Sequence, residues 1–172
     1  MLKHVEHDAV RSYVLPFLRI DRHIPWLQGA SSPEALAAVT GLSLTELDQE
    51  LGRLDENVRQ TALEMLKEED IPEWLPRLPF KQGERLLAFG DSTVDDRQGW
   101  FSILSRVLDV GIPDAEFTFL NAGTAWQTTS EALRRVQSDL IDKKPDWVFI
   151  SIGMFDAIRL KALPDRTLVP LS

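Results

Sequence analysis

The chain has 172 residues, 44% hydrophobic and 27% charged, enough for one ordinary globular domain or two small ones with a buried core. It contains no cysteine, which excludes disulfides, thiolate nucleophiles and cysteine zinc sites, and no run of eighteen apolar residues that would span a membrane. The net charge is −8, from 19 basic and 27 acidic residues, and the parts before and after Gln82 are both acidic, which argues against nucleic acid as a partner. Residues Met1 to Asp8 carry charges where a signal peptide needs an apolar stretch, so the expected location is cytoplasmic.

In chain order, residues 8–20 start a helix that Pro16 disturbs and Pro25 ends. Ser32-Pro33-Glu34 then reads as an N-cap, a proline in the first helical position and an acid in the first turn. The apolar stripe Leu36, Ala37, Val39 stops at Gly41. Ser43 caps the next helix and Glu46 completes a capping box. That helix carries Leu47, Leu51, Leu54, Val58, Ala62, Met65 and Leu66 at spacings of three and four. The pair resembles a helix-turn-helix, but Glu46, Asp48, Glu50, Asp55 and Glu56 would repel a duplex, so the face is read as packing surface. Residues 1–70 are thus a helical N-terminal segment. Residues 71–83 hold three prolines and a glycine and read as a linker, neither helix nor central strand, with Trp74, Leu75, Leu78 and Phe80 packing against something.

From residue 84 to 172 the pattern alternates. Arg85–Gly90, Glu116–Leu120 and Asp146–Gly153 are strand candidates. The stripe Trp100, Phe101, Ile103, Leu104, Val107, Leu108 makes one helix. Thr128–Ile141 makes another, with Leu133, Val136, Leu140 and Ile141 inward. Trp100, Trp147 and Phe149 read as core. This alternation predicts an α/β fold, a parallel sheet covered on both faces, with ligands at the carboxyl ends of its strands. All three strand candidates end in small or polar residues: Gly90-Asp91-Ser92, Asn121-Ala122-Gly123, and Gly153 through Asp156.

A serine on a tight turn after a buried strand is a sound nucleophile position, because its hydroxyl is held rigidly and nearby backbone N–H groups can face an oxyanion. Gly-Asp-Ser is also a plain turn sequence. Asp95 and Asp96 read as solvated residues capping the helix that begins near Gln98, with a cation beside Asp91 as the alternative. His4 and His7 read as surface residues, and no metal site is expected. Trp126, at a strand-end turn, either plugs a pocket or packs under the loop.

The three strand-end turns, in this order and spacing, resemble the SGNH (GDSL-type) hydrolase family over residues 84–172. The resemblance implies a three-layer α/β/α, flavodoxin-like parallel sheet, here incomplete and preceded by the helical segment. It makes Ser92 the nucleophile and its backbone N–H one oxyanion donor, with Asp91, Asn121, Gly123, Gly153 and Asp156 in support. It implies hydrolysis of a small-molecule ester or acetyl group without a cofactor.

The departures are specific. Trp126 stands where the family has a glycine, so a backbone N–H survives beside a bulky side chain, with Gly123 a weak substitute. Phe155 stands where the family has the donor asparagine, and losing such a donor costs about 2.7–4 kcal/mol of transition-state stabilisation. The Asp-x-x-His block is absent, and the chain's histidines, His4, His7 and His23, all precede Ser92. The family sheet has more strands than the three candidates here, so the expectation is a domain truncated before that block and inactive on its own. Its unfinished edge would favour pairing with a second copy. Two other readings stand beside this one. One is a degenerate SGNH domain kept as a binding or scaffolding module. The other is a haloacid dehalogenase-like phosphatase fragment, suggested by Gly90-Asp91-Ser92-x-x-Asp95 but lacking an upstream Asp-x-Asp.

Overall fold

The computed structural model describes residues 13–19, 22, 29, 32–160 and 163–169. Helices α1 (Pro33–Thr40) and α2 (Leu44–Met65) begin where their caps require. Ser32 Oγ accepts the Ala35 N–H, and Ser43 and Glu46 form the reciprocal capping box. Gly41, at φ 68°, closes α1 in the left-handed conformation that glycine adopts without penalty. The start of the first predicted helix, residues 8–12, lies outside the described residues. Leu15–Phe17 forms a single 3-10 turn whose proline occupies a first-turn position. Leu15 joins Leu36, Ala37, Leu42, Leu47 and Leu54 in one buried cluster.

The sheet has three parallel strands, β1 (Arg85–Gly90), β2 (Thr118–Gly123) and β3 (Trp147–Ser151), in the order β2-β1-β3. Alternation along β1 builds two cores. Leu86 packs with Ala62 of α2 and with Val107 and Leu108 of the helix Trp100–Gly111, while Ala88 meets Val94 and Phe101. On the other face Leu87 and Phe89 pack with Ala132, Val136 and Leu140. The result is a sheet between helical layers, the α/β arrangement expected, and each fully buried leucine contributes about 1.5–3 kcal/mol. A short antiparallel hairpin, Arg159–Leu160 with Leu163–Thr167, follows the sheet. Among the described residues no helix is long and apolar enough to cross a membrane.

Four expectations are corrected. The proline-rich stretch is not structureless: α3 (Asp70–Trp74) and a 3-10 turn (Leu75–Arg77) occupy it. Pro72 and Pro76 sit in first turns, where no helical N–H is needed, and Pro79 follows in a bend. Asn121-Ala122-Gly123 is the end of β2 itself, not a turn after it. Among the described residues β3 is paired on one side only, and Trp147, Val148 and Ile150 are exposed at 36%, 39% and 68%; Trp100 at 37% is likewise not core. The helix predicted over Thr128–Ile141 is broken. The helices between β1 and β3 are α4 (Ser92–Asp95), α5 (Trp100–Gly111), α6 (Thr129–Ala132) and α7 (Val136–Asp139), with a 3-10 turn at Leu133–Arg135 between the last two. Leu133 and Ile141 point outward, because Arg135 turns in toward the strand ends instead.

Gly90 is placed where the central strand meets both neighbours. A Cβ there would overlap the Ser151 carbonyl oxygen and come within 2.6 Å of Val94 Cγ2. Gly90→Ala should therefore destabilise the domain by about 1–3 kcal/mol or more, the range for overpacking, read as a lower urea midpoint at unchanged slope.

Candidate active site

Strand β1 delivers the chain into the one-turn helix α4, and Asp91 caps that turn. Its Oδ1 accepts the Thr93 N–H at 3.0 Å, while its own N–H donates to the Ser151 carbonyl at 3.2 Å. Thr93 Oγ1 and Ser151 Oγ lie 2.9 Å apart, a second tie between the turn and β3. Ser92, first residue of α4, is buried at 8% exposure, and its Oγ accepts the Trp126 backbone N–H at 2.8 Å. Asp91 Oδ2 is buried with no hydrogen-bond partner among the described residues.

The Trp126 amide reaches Ser92 because β2 ends close against α4. A Cβ at Gly123 would run into the backbone of Val94 and Asp95, so only glycine permits that approach. Asn121 locks the contact: its Nδ2 donates to the Val94 carbonyl at 2.6 Å and its Oδ1 accepts the Gly123 N–H at 2.9 Å. Trp126 itself has φ 61°, the left-handed region that costs a bulky residue energy and that a glycine would take freely. Its side chain neither plugs a pocket nor packs under the loop. It is 62% exposed, with its ring centroid 6.4 Å from that of Phe17.

Asp95 is not solvated. It is fully buried, and its Oδ2 accepts the Ala125 N–H at 3.1 Å while Oδ1 meets Arg22 Nη1 at 2.9 Å. The Arg22 guanidinium also donates to Asn121 Oδ1 at 3.0 Å, to the Asn121 carbonyl at 2.6 Å and to the Gly123 carbonyl. Asp96 keeps a capping role, accepting the Gln98 N–H at 2.8 Å, although the helix it precedes starts at Trp100. On the opposite side Arg135 donates to the Gly90 and Ala122 carbonyls, each at 2.7 Å, with its guanidinium 4.4 Å from the centroid of the Phe89 ring. Burial pulls the Arg135 pKa down, and its hydrogen bond with Asp139 opposes that shift.

In the third predicted turn Asp156 ties the chain to the start of α6. Its carboxylate accepts the Thr129 N–H at 3.1 Å and the Thr129 hydroxyl at 2.5 Å. A cavity of about 360 Å³ opens there, lined by Thr129, Gly153, Asp156, Ala157, Thr167 and Val169. Gly153 takes φ 125°, and Phe155, half-buried in the same turn, offers no side-chain donor. The structure thus gathers Asp91, Ser92, Asn121, Gly123 and Trp126 at the carboxyl end of β1 and β2, with Gly153 and Asp156 beyond Thr129. His4, His7 and His23 lie outside the described residues. Among the described residues, no group of three His, Cys, Asp or Glu side chains could hold a metal ion.

Sequence reasoning missed Arg22 and Arg135, and it gave Asp95 a solvated capping role in place of its buried one. The spacing does place Asp95 three residues after Ser92, on the next turn of α4, but its arginine partner is 73 residues upstream and no local pattern announces it.

Fold and site together define an α/β domain with a buried serine at the strand-to-helix turn of its central strand. No protein-family profile matches the chain. It is similar to an acetylxylan esterase of Geobacillus stearothermophilus, 32% identical over 96 residues, which cover 48% of this chain and 44% of the esterase. It is also similar to the uncharacterized lipoprotein YqeF of Bacillus subtilis, 39% identical over 84 residues covering 43% of this chain and 32% of the relative. The chain therefore spans less than half the length of these relatives. Solved structures of variants of the same Geobacillus esterase, Axe2, align over 46% of this chain and 43% of theirs, at 28% identity and TM-score 0.44.

Arg135 closes two strand ends at once, so its loss should be felt across the site. Arg135→Met leaves the Ala122 carbonyl short of a donor, while the Gly90 carbonyl keeps only the Thr124 N–H. The expected cost is about 1–3 kcal/mol, measured by urea unfolding, the range for buried groups left without a partner.

Proposed function

We propose that residues 84–172 form part of a serine esterase domain of SGNH type, with Ser92 as its nucleophile and an acetyl or other short ester group as its substrate. The observation that carries this reading is the Ser92 hydroxyl, buried at the end of the central strand and held at 2.8 Å by the Trp126 N–H. Similarity to an acetylxylan esterase supports ester chemistry and makes acetylated xylo-oligosaccharides the substrates to try first.

In the proposed reaction a base removes the Ser92 Oγ proton as Oγ adds to the ester carbonyl carbon. The carbonyl π electrons move to oxygen, and the N–H groups of Ser92 and Trp126 receive that oxyanion. Collapse expels the alcohol, which takes the proton from the base, and leaves an acyl-Ser92. Water then adds to the acyl group, and its departure as acid returns the proton to Oγ.

Two features set the rate. Phe155, in the place where the resemblance calls for an asparagine, contributes no donor, a deficit of about 2.7–4 kcal/mol. No histidine follows Ser92 in the 172-residue sequence, so the histidine base that the resemblance calls for is not among residues 92–172. The chain on its own is therefore expected to acylate slowly. A second reading, a domain that binds without turnover, draws on the same Phe155 and on the exposed Trp126 ring at the rim.

A fluorophosphonate probe followed by peptide mapping tests the nucleophile. With imidazole supplied as the base, Ser92 should be labelled and Ser92→Ala should not. Added imidazole should raise p-nitrophenyl acetate hydrolysis by the natural chain above that of Ser92→Ala. Equal rates together with an unlabelled Ser92 would reject the esterase reading in favour of the binding one.

A further inference from the structure

We infer that Arg22, acting through Asp95, is a positioning residue for the oxyanion turn, so that the N-terminal segment sets the geometry of the nucleophile. For its catalytic meaning this rests on the proposed role of Ser92. The structural relation stands on its own contacts.

The turn from Gly123 to Trp126 must hold a strained residue in place. Trp126 is in the left-handed region, and its exposed indole does nothing to bury the loop beneath it. What fixes the turn lies on its inner side. Thr124 N–H donates to the Gly90 carbonyl at 3.1 Å, and Ala125 N–H donates to Asp95 Oδ2 at 3.1 Å. Asp95 is therefore the side chain next to the donor amide, one residue upstream of it.

A buried carboxylate holds an amide firmly only if its own charge is matched, because an unmatched buried charge is costly. Arg22 supplies the match. Its Nη1 lies 2.9 Å from Asp95 Oδ1, and Arg19 Nε stands 4.0 Å from the same oxygen. Arg22 goes further than neutralising charge. The same guanidinium binds the Asn121 side chain and the carbonyls of Asn121 and Gly123, so one rigid fork ties Asp95 to the last turn-forming residues of β2. Lysine, a single point charge on a flexible stem, could match Asp95 but could not span those acceptors. The segment is docked independently nearby: Leu15 and Pro16 are buried, and the Pro16 carbonyl accepts the Arg97 N–H at 3.1 Å.

The test uses the full chain and reads the amides directly. In ¹⁵N-resolved NMR, Arg22→Gln and Asp95→Asn should each shift the Trp126 amide resonance and speed hydrogen exchange at Ala125 and Trp126 by about tenfold or more, while Leu87 and Ala88 in β1 keep their protection. Arg22→Lys should fall between the natural chain and Arg22→Gln. Combining Arg22→Gln with Asp95→Asn should add little to either alone, since both break one unit. Arg106→Gln, which removes a surface pair with Asp55, should leave the Trp126 amide unmoved. An unchanged Trp126 resonance in Arg22→Gln would overturn the inference. So would exchange that accelerates equally at Leu87 and Ala88, which would make Arg22 a stability residue only. Failure of the esterase reading looks different: Ser92 stays unlabelled in the natural chain while the amide effects persist.

Discussion

The carboxyl end of the sheet is organised by the close packing around Gly90. Where β1 ends, the Ser151 carbonyl from one neighbour and the Val94 side chain from the following turn occupy the space a side chain would need. With that space filled, the chain turns from the strand into α4, and Ser92 stands at the strand end while staying buried. The second close approach, Gly123 against the backbone of Val94 and Asp95, brings the end of β2 alongside and puts the Trp126 amide over the serine. Two positions without side chains thus convert a parallel sheet into a site.

Close-packed strand ends leave carbonyls that need donors, since a buried unpaired backbone group costs about as much as a lost hydrogen bond. Arginines supply them in a chain whose net charge is −8. Arg135 takes the Gly90 and Ala122 carbonyls from one side, and Arg22 takes those of Asn121 and Gly123 from the other. These guanidinium groups are engaged with the protein's own backbone and carboxylates. They are scaffold, holding the strand ends in place.

The local signals in the sequence were legible. Ser32 and the Ser43–Glu46 box start their helices, β1 runs from Arg85 to Gly90, and the apolar stripe from Trp100 marks α5, because each depends on residues a few positions apart. Long-range chemistry was not legible. Asp95 reads as a solvated cap until an arginine far upstream is brought to it. The Thr128–Ile141 stretch reads as one amphipathic helix until Arg135 is drawn inward to the strand ends, which breaks the helix and turns Leu133 out. β3 reads as buried from its apolar run, and only the strand order shows it paired on one side among the described residues. At the candidate site, the serine and its flanking turn could be found from spacing. The buried ion pair behind the donor amide could not.

The contacts that Arg22 makes with Asn121 and Gly123 close loops of 99 and 101 residues. The register of β1 with β2 closes a far shorter one, from Arg85 to Thr118. Closure entropy grows only slowly with length, but it must be met before the contact gives anything back. The strand register therefore closes at a lower entropic cost than the Arg22 strap, by about 1 kcal/mol.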